Sequence, residues 1–340
     1  MTVSAVIDFF SSQLSTLLLS FGSQLSIMSL LTALLVAALF LAWQRSNRGR
    51  PRRWRAITRA LFPKRIILHR SSATDLGYLL FNVFLSGIVL GWAVLSYQTI
   101  SNAIVAAIVA AFGPVAPSTL PALISRGAIT VLLFVGYEFG YWFDHWLKHK
   151  IPFLWEFHKV HHSAEVLTPI TNFRVHPIDS WIFANILAAT TALAGGCGNY
   201  LFGNTTYQYA ISDTNLILVI FIYAYVHLQH THMWIPFRGW LGRLLVSPAH
   251  HQIHHSTNPK HFNRNFGSCL ALWDWMFGTL YVPGKQRERL TFGVAGRAGA
   301  HTFKTEVVEP LIDAAGHFKP ALPKPASVMP AVQIADRKII

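Results

Sequence analysis

Residues 26–43 carry no charged side chain, and the stretch runs into a loop that holds Arg45, Arg48, Arg50, Arg52, Arg53, Arg55, Arg59, Lys64 and Arg65. An apolar run of this length crosses a bilayer core as a helix, at about 1.5 Å per residue. Basic loops stay in the cytoplasm, so the arginine loop fixes the orientation. Further apolar runs then read as an outward span at 76–97, a return at 120–142, an outward span at 181–196 and a return at 214–225. Arg126 lies near the outer end of its span, where it can snorkel to the interface. Residues 1–23 read as an interfacial or first membrane helix. Residues 100–117, broken by Gly113, Pro114 and Pro117, read as an external amphipathic or re-entrant piece.

Gly195, Gly196, Gly198, Asn199 and Gly203 are expected in the turn between the last two spans. The sequon Asn204-Thr205-Thr206 beside them is of a kind common by chance. Residues 233–285 are amphipathic and aromatic and are expected as cap helices lying on the membrane. The expectation is an all-α polytopic membrane protein, with about four to six membrane helices beneath a histidine-rich cytosolic helical cap. Residues 1–66 form an N-terminal membrane helix and basic loop, 67–285 the membrane domain with the cap, and 286–340 a polar tail. Pro320, Pro323, Pro325 and Pro330 mark the end of that tail as loop.

Only 12% of the chain is charged and 52% is hydrophobic, against about 25% charged in soluble domains. The net charge of +14 could mean nucleic acid. With apolar spans adjoining the basic run, lipid head groups and topology account for it better. Cys197 and Cys269 give neither a disulfide framework nor a cysteine zinc site. No short basic region opens the chain, so no cleaved leader is expected.

The histidines carry the chemistry. Of 17, all but His69, His301 and His317 lie between positions 145 and 261. His145 and His149 are i, i+4. His158, His161 and His162 form H-x-x-H-H, and the pattern returns as His251, His254 and His255. Residues three or four apart share a helix face, so each cluster can aim its imidazoles at one point. Eight such ligands exceed the needs of one four-coordinate ion and suit two metals close together. Imidazole accepts iron and zinc alike. Counting crossings brings His145, His227, His230 and His232 to the cytoplasmic level.

The ordered motifs resemble the fatty acid hydroxylase/sterol desaturase superfamily of membrane di-iron enzymes over roughly residues 130 to 283. The motifs are His145-x-x-x-His149, Phe157-His158-x-x-His161-His162-Ser163, Arg174-x-His176-Pro177, His230-Thr231, Ser247-Pro248-x-x-His251-x-x-His254-His255-Ser256, Asn265-Phe266-Gly267 and Trp273-Asp274-x-x-Phe277-Gly278-Thr279. The resemblance implies two iron ions, O2 as co-substrate, and hydroxylation or desaturation of a membrane lipid. It implies His145, His149, His158, His161, His162, His230, His251, His254 and His255 as ligands. His176, His227, His232, Asp144 and Asp274 are weaker candidates as ligands or as orienting groups. Glu156 and Asp179 also flank the clusters and could fix a ring tautomer. His250 and His261 are expected to be outward polar residues.

Trp142, Trp146, Trp155, Trp273 and Trp275 are expected at the interface belt and along a substrate slot. No nicotinamide or flavin motif occurs, so electrons are expected from a separate ferredoxin- or cytochrome-type carrier; no nucleic-acid partner is expected. The site is expected on the cytoplasmic face, in a bacterial inner membrane rather than the endoplasmic reticulum. A metal transporter and a bis-histidine haem protein are the rival readings. The first wants ligands at the bilayer midplane rather than at span ends, and the second is disfavoured by the repeated H-x-x-H-H.

Overall fold

The computed structural model describes residues 2–116, 118–203, 207–294 and 302–318. The sequon at 204–206, Pro117, His301 and the proline-marked end of the tail lie outside the described residues. Most of the described residues are helical. We label its main helices α1 (Val3–Leu19), α2 (Ile27–Asn47), α3 (Trp54–Leu61), α4 (Arg70–Phe112), α5 (Ala122–Lys150), α6 (Pro152–His162), α7 (Pro177–Phe202), α8 (Leu216–Gln229), α9 (Gly239–Leu244), α10 (Pro248–His254), α11 (Leu272–Met276) and α12 (Phe303–Gly316). Four of these, α2, α4, α5 and α7, are long and apolar enough to cross a membrane, and α8 is a shorter apolar helix. Large side chains such as Leu35, Leu39, Leu123 and Leu193 stay exposed along them, as lipid-facing helices require.

Two expectations about the membrane helices are corrected. Most of the 100–117 piece is not a separate element. It belongs to α4, which bends at 94–96 and continues as Tyr97–Phe112 along α7. Of the glycines expected in a turn, Gly195, Gly196 and Gly198 instead lie inside α7, whereas Gly203 follows its last residue with positive φ. A side chain on Gly195 or Gly196 would meet Tyr97 and Ile104 of α4, and one on Gly198 would meet Ile129 and Leu132 of α5. Small residues let helix backbones approach where lipid gives no hydrophobic drive. The α7–α8 connection holds a short hairpin among its described residues, β1 (Ala210–Ile211) against β2 (Thr214–Asn215). Ser212 and Asp213 hold positive φ at its tip, as the tight primed turns demand.

α3, in the basic segment, packs by Ile57 against Leu228 and Met233, and His232 Nε2 donates to Ala60 O at 2.7 Å. The arginine loop therefore sits at the end of the bundle where α8 ends. At that end the region after α8 is mostly loop with the short helices α9, α10 and α11. The segment expected as a polar tail contains α12, packed on α6. Its Glu306 pairs with the fully buried Arg174 at 2.6 Å, and His176 Nε2 donates to Val307 O. Burial of Glu306, Pro310 and Ala314 on one face follows the i, i+4 stripe of a docked helix.

Candidate metal centre

Nine histidines meet at this end of the bundle in two groups. His145 and His149 of α5, His158 and His162 of α6 and His254 of α10 form the first; His161, His230, His251 and His255 form the second. Within each group the donor atoms lie within 4.8 Å of one another. The expectation that each triplet aims at one point is corrected: both H-x-x-H-H triplets are split. In α6 the i, i+4 pair goes to the first group and His161 to the second. In α10 and the residue that caps it the assignment reverses, with His251 and His255 in the second group and His254 in the first. At 3.6 residues per turn, i and i+4 lie about 40° apart around a helix, whereas i+3 and i+4 lie about 100° apart. Two adjacent histidines therefore cannot share a point, and each triplet bridges two.

Several rings are tied at Nδ1, which frees Nε2 to point inward. His145 Nδ1 donates to Phe266 O at 2.8 Å, His158 to Asp179 Oδ2 at 2.9 Å, His161 to Arg174 O at 3.2 Å and His254 to Arg264 O at 2.8 Å. The Nε2 atoms then face one another. His162 stands 3.2 Å from His149 and 3.1 Å from His254. His230 stands 3.1 Å from His161, 3.1 Å from His255 and 2.8 Å from His251. Nitrogens about 2.1 Å from a shared ion and about 90° apart would be roughly 3.0 Å apart.

A metal fits this arrangement. The buried Nε2 atoms of His145 and His158 have no partner among the described residues, and burying so many polar nitrogens without a partner is costly. Burial, reinforced by neighbouring imidazoles, pushes His161, His162, His251 and His255 well below the ordinary histidine range. His230 and His254 fall to about 3 for the same first reason, burial. The rings are therefore neutral at physiological pH, the form that ligates metal.

Two cavities border the groups. One, of about 280 Å³, lies between α5 and α7 and touches His145, His158 and His161. The other, of about 420 Å³, is walled by Lys150, Trp155 and Phe262 and touches His149, His162, His254 and His255.

The remaining candidates lie outside both groups. His176 caps α7 by accepting from Ile178 N at 3.2 Å, His227 Nε2 lies 3.4 Å from Ser29 Oγ, and His232 binds Ala60 O. Asp144 pairs with Lys148 at 2.6 Å. Asp274 accepts from Phe266 N, Gly267 N, Thr279 Oγ1 and Trp142 Nε1, and so shapes the loop whose carbonyl holds His145. Glu156 pairs with Lys159 and with His317. Trp142 is buried against Phe277 and Trp155 stands against His149 and His162, whereas Trp275 is exposed.

His250 and His261 are not outward. His250 is fully buried and donates to Gly242 O at 3.0 Å while accepting from Ser247; His261 is buried against Glu288 at 3.0 Å. A polar residue beside a ligand-bearing face is drawn inward here because the capping box of α10 needs it. Sequence reasoning missed Lys148, which joins Asp144 to Asp179, and the role of Arg174 as anchor for α12. The i, i+4 spacing of Asp144 and Lys148 was a signal for the first.

Residues 130–279 match the family model described as fatty acid hydroxylase. The chain is similar to alkylglycerol monooxygenase of Danio rerio, 30% identical over 52% of this chain and 35% of that protein. It is similar to ornithine lipid hydroxylase OlsE of Rhizobium tropici, 30% identical over 53% of this chain and 49% of the relative. Cholesterol 25-hydroxylase of Homo sapiens is 32% identical over 39% of this chain and 43% of the relative. The chain thus spans about a third to a half of the length of these relatives. No solved structure matches it.

Proposed function

We propose, from the match of residues 130–279 to the fatty acid hydroxylase family model, that this protein is a membrane-bound di-iron monooxygenase that hydroxylates a lipid. The observation that carries the reading is the pairing of two histidine groups that share the bundle-side cavity, since His145, His158 and His161 all line it. A lipid in that cavity would present a C–H bond to both groups at once. Five imidazoles in the first group exceed the tetrahedral set of a structural zinc and favour a metal of higher coordination number. Two irons held there supply the power to oxidise an unactivated C–H bond with O2 and two external electrons.

The protein does the rest. Asp179 keeps the proton of His158 on Nδ1, and the carbonyls of Phe266, Arg174 and Arg264 do the same for His145, His161 and His254, so that Nε2 stays free to bind. Tyr137, Tyr141 and Phe183 line the cavity beside α5 and α7 and would keep water from the reacting carbon. One oxygen atom goes to the lipid and the other to water, with two electrons and two protons drawn from outside. The exposed arginines of the 45–59 loop lie at the same end as the histidines and suit an acidic ferredoxin- or cytochrome-type donor. By the same basic loop the site would face the cytoplasm, in a bacterial inner membrane. The relatives act on an alkylglycerol, an ornithine lipid and a sterol by their names; we assign this chain to the lipids with polar glycerol or amino-acid heads.

Mass spectrometry of lipids from cells with and without the protein, and with a His254→Ala version, tests the reading. The expected result is a lipid heavier by one oxygen, lost in the variant. A lipid lighter by two hydrogens would make the enzyme a desaturase. The same product from His254→Ala would remove the metal site from the reaction.

A further inference from the structure

At the histidine end of the bundle the cations fall into two kinds. Some are paired: Arg174 with Asp75 and Glu306, Lys159 with Glu156 and Asp313, Arg70 with Glu165. Others converge on a further cavity, of about 630 Å³, that shares no wall residue with the two beside the histidines. Arg48 comes to it from the loop after α2, Arg238 from the residue that caps α9, and Lys285 and Arg287 from the segment after α11. All four are exposed, and no aspartate or glutamate lines the cavity with them. None has a carboxylate partner among the described residues. Like charges held together repel one another unless an anion lies among them.

The other walls are apolar. Phe40, Leu41 and Trp43, in the last turns of α2, line the cavity. Trp43 is exposed where the apolar part of α2 meets its basic end, the level of a bilayer that tryptophan favours. Across from them stands Met233, in one packed cluster with Leu41 and Ile57. Membrane topology explains cations in a loop. It does not explain four of them, brought from three separate segments, around one cavity with an apolar side.

We propose that this cavity binds one anionic phospholipid, its phosphate among Arg48, Arg238 and Arg287 and its chains along Phe40 and Trp43. Arginine meets phosphate oxygens with paired N–H groups, and basic pockets between helices on the cytoplasmic side collect anionic head groups. The apolar wall favours a lipid over free phosphate or an acidic protein. This lipid is a bound companion and not the molecule oxidised, so the inference stands apart from the monooxygenase reading. Its consequence for the metal centre is mechanical. Met233 follows His230 by three residues, and Gln252 Nε2 of α10 donates to Thr231 O and Met233 O, both at 2.7 Å. A lipid seated against Met233 would brace that connection.

The test is native mass spectrometry of the full chain released from detergent micelles. The probes are dioleoyl phosphatidylglycerol, dioleoyl phosphatidylcholine and inorganic phosphate. The wild type is expected to hold one phosphatidylglycerol about tenfold or more tighter than phosphatidylcholine. Arg238→Gln with Arg287→Gln should bring the two lipids within about twofold of each other. Arg50→Gln with Arg53→Gln removes the same charge outside the cavity and should keep the preference. Equal binding of both lipids by the wild type, or equal loss in the two double variants, overturns the proposal. Inorganic phosphate that displaces the lipid at equal concentration also overturns it and reassigns the cavity to a free anion. If phosphatidylglycerol shows no preference and a plant-type ferredoxin binds the wild type but not the Arg238→Gln/Arg287→Gln protein, the cavity belongs to an acidic partner instead. Should that variant not fold, photolabelling of the wild type decides, with a diazirine in the phosphatidylglycerol head group. Label on peptides holding Arg238 or Arg287 supports the assignment, and label confined elsewhere overturns it.

Discussion

In the first histidine group, the rings of His145, His158 and His254 are tied at Nδ1 to Phe266 O, Asp179 and Arg264 O. In the second, His161 is tied to Arg174 O, while the Nδ1 atoms of His230, His251 and His255 are buried without a partner among the described residues. The same residue type, from partly the same helices, is thus oriented in two ways. Rings of the first group are aimed by the surrounding chain; rings of the second lean mainly on one another. Outer hydrogen bonds raise ligand basicity and typically change metal affinity by about 10–100-fold. The first group should therefore hold its ion more tightly.

The largest effect comes from taking a donor from each group. His254→Ala and His251→Ala should each lower oxygenated lipid by more than about 100-fold, with about one bound metal lost in elemental analysis. A variant that keeps both its metal content and its product would show that its group is not a ligand set.

Next comes chelation. A chelator titrated against the loaded protein should remove metal in two steps about 10–100-fold apart in apparent affinity, the His251→Ala variant lacking the first. Release in one step would erase the contrast. Asp179→Asn should narrow the gap by about tenfold by untying His158.

A smaller effect is expected from Glu306→Gln, which breaks the buried pair with Arg174. It should cost about 3 kcal/mol in denaturant unfolding and loosen the second group through the Arg174 carbonyl that holds His161. Hydrogen exchange unchanged across 303–316 would contradict the docking role given to α12. The smallest is His317→Ala. Its pair with Glu156 is 37% exposed on the histidine side, so the cost should stay under about 1 kcal/mol with metal content untouched, and a larger loss would mean α12 is held from its exposed end.

How much of this was legible can be argued residue by residue. The apolar runs and the basic loop show in the sequence because a bilayer imposes length and charge rules on each segment separately. His145, His149 and the two triplets show because their spacing is local to one helix. His230 does not; it ends α8 in an otherwise ordinary His-Thr-His, and only the family motif singled it out. Gly195, Gly196 and Gly198 misled, since a glycine cluster in a turn and one in a helix contact read alike until the neighbouring helix is known. Arg174 and Glu306 meet across 132 residues, a pairing that no window along the chain contains.

The chain alone determined a membrane architecture and a supply of imidazoles at the ends of its spans, because hydropathy and helical period act over a few residues at a time. The tertiary structure alone decided which triplet member goes to which group, because adjacent residues on a helix diverge by about 100° and only the facing helix says where each ring lands.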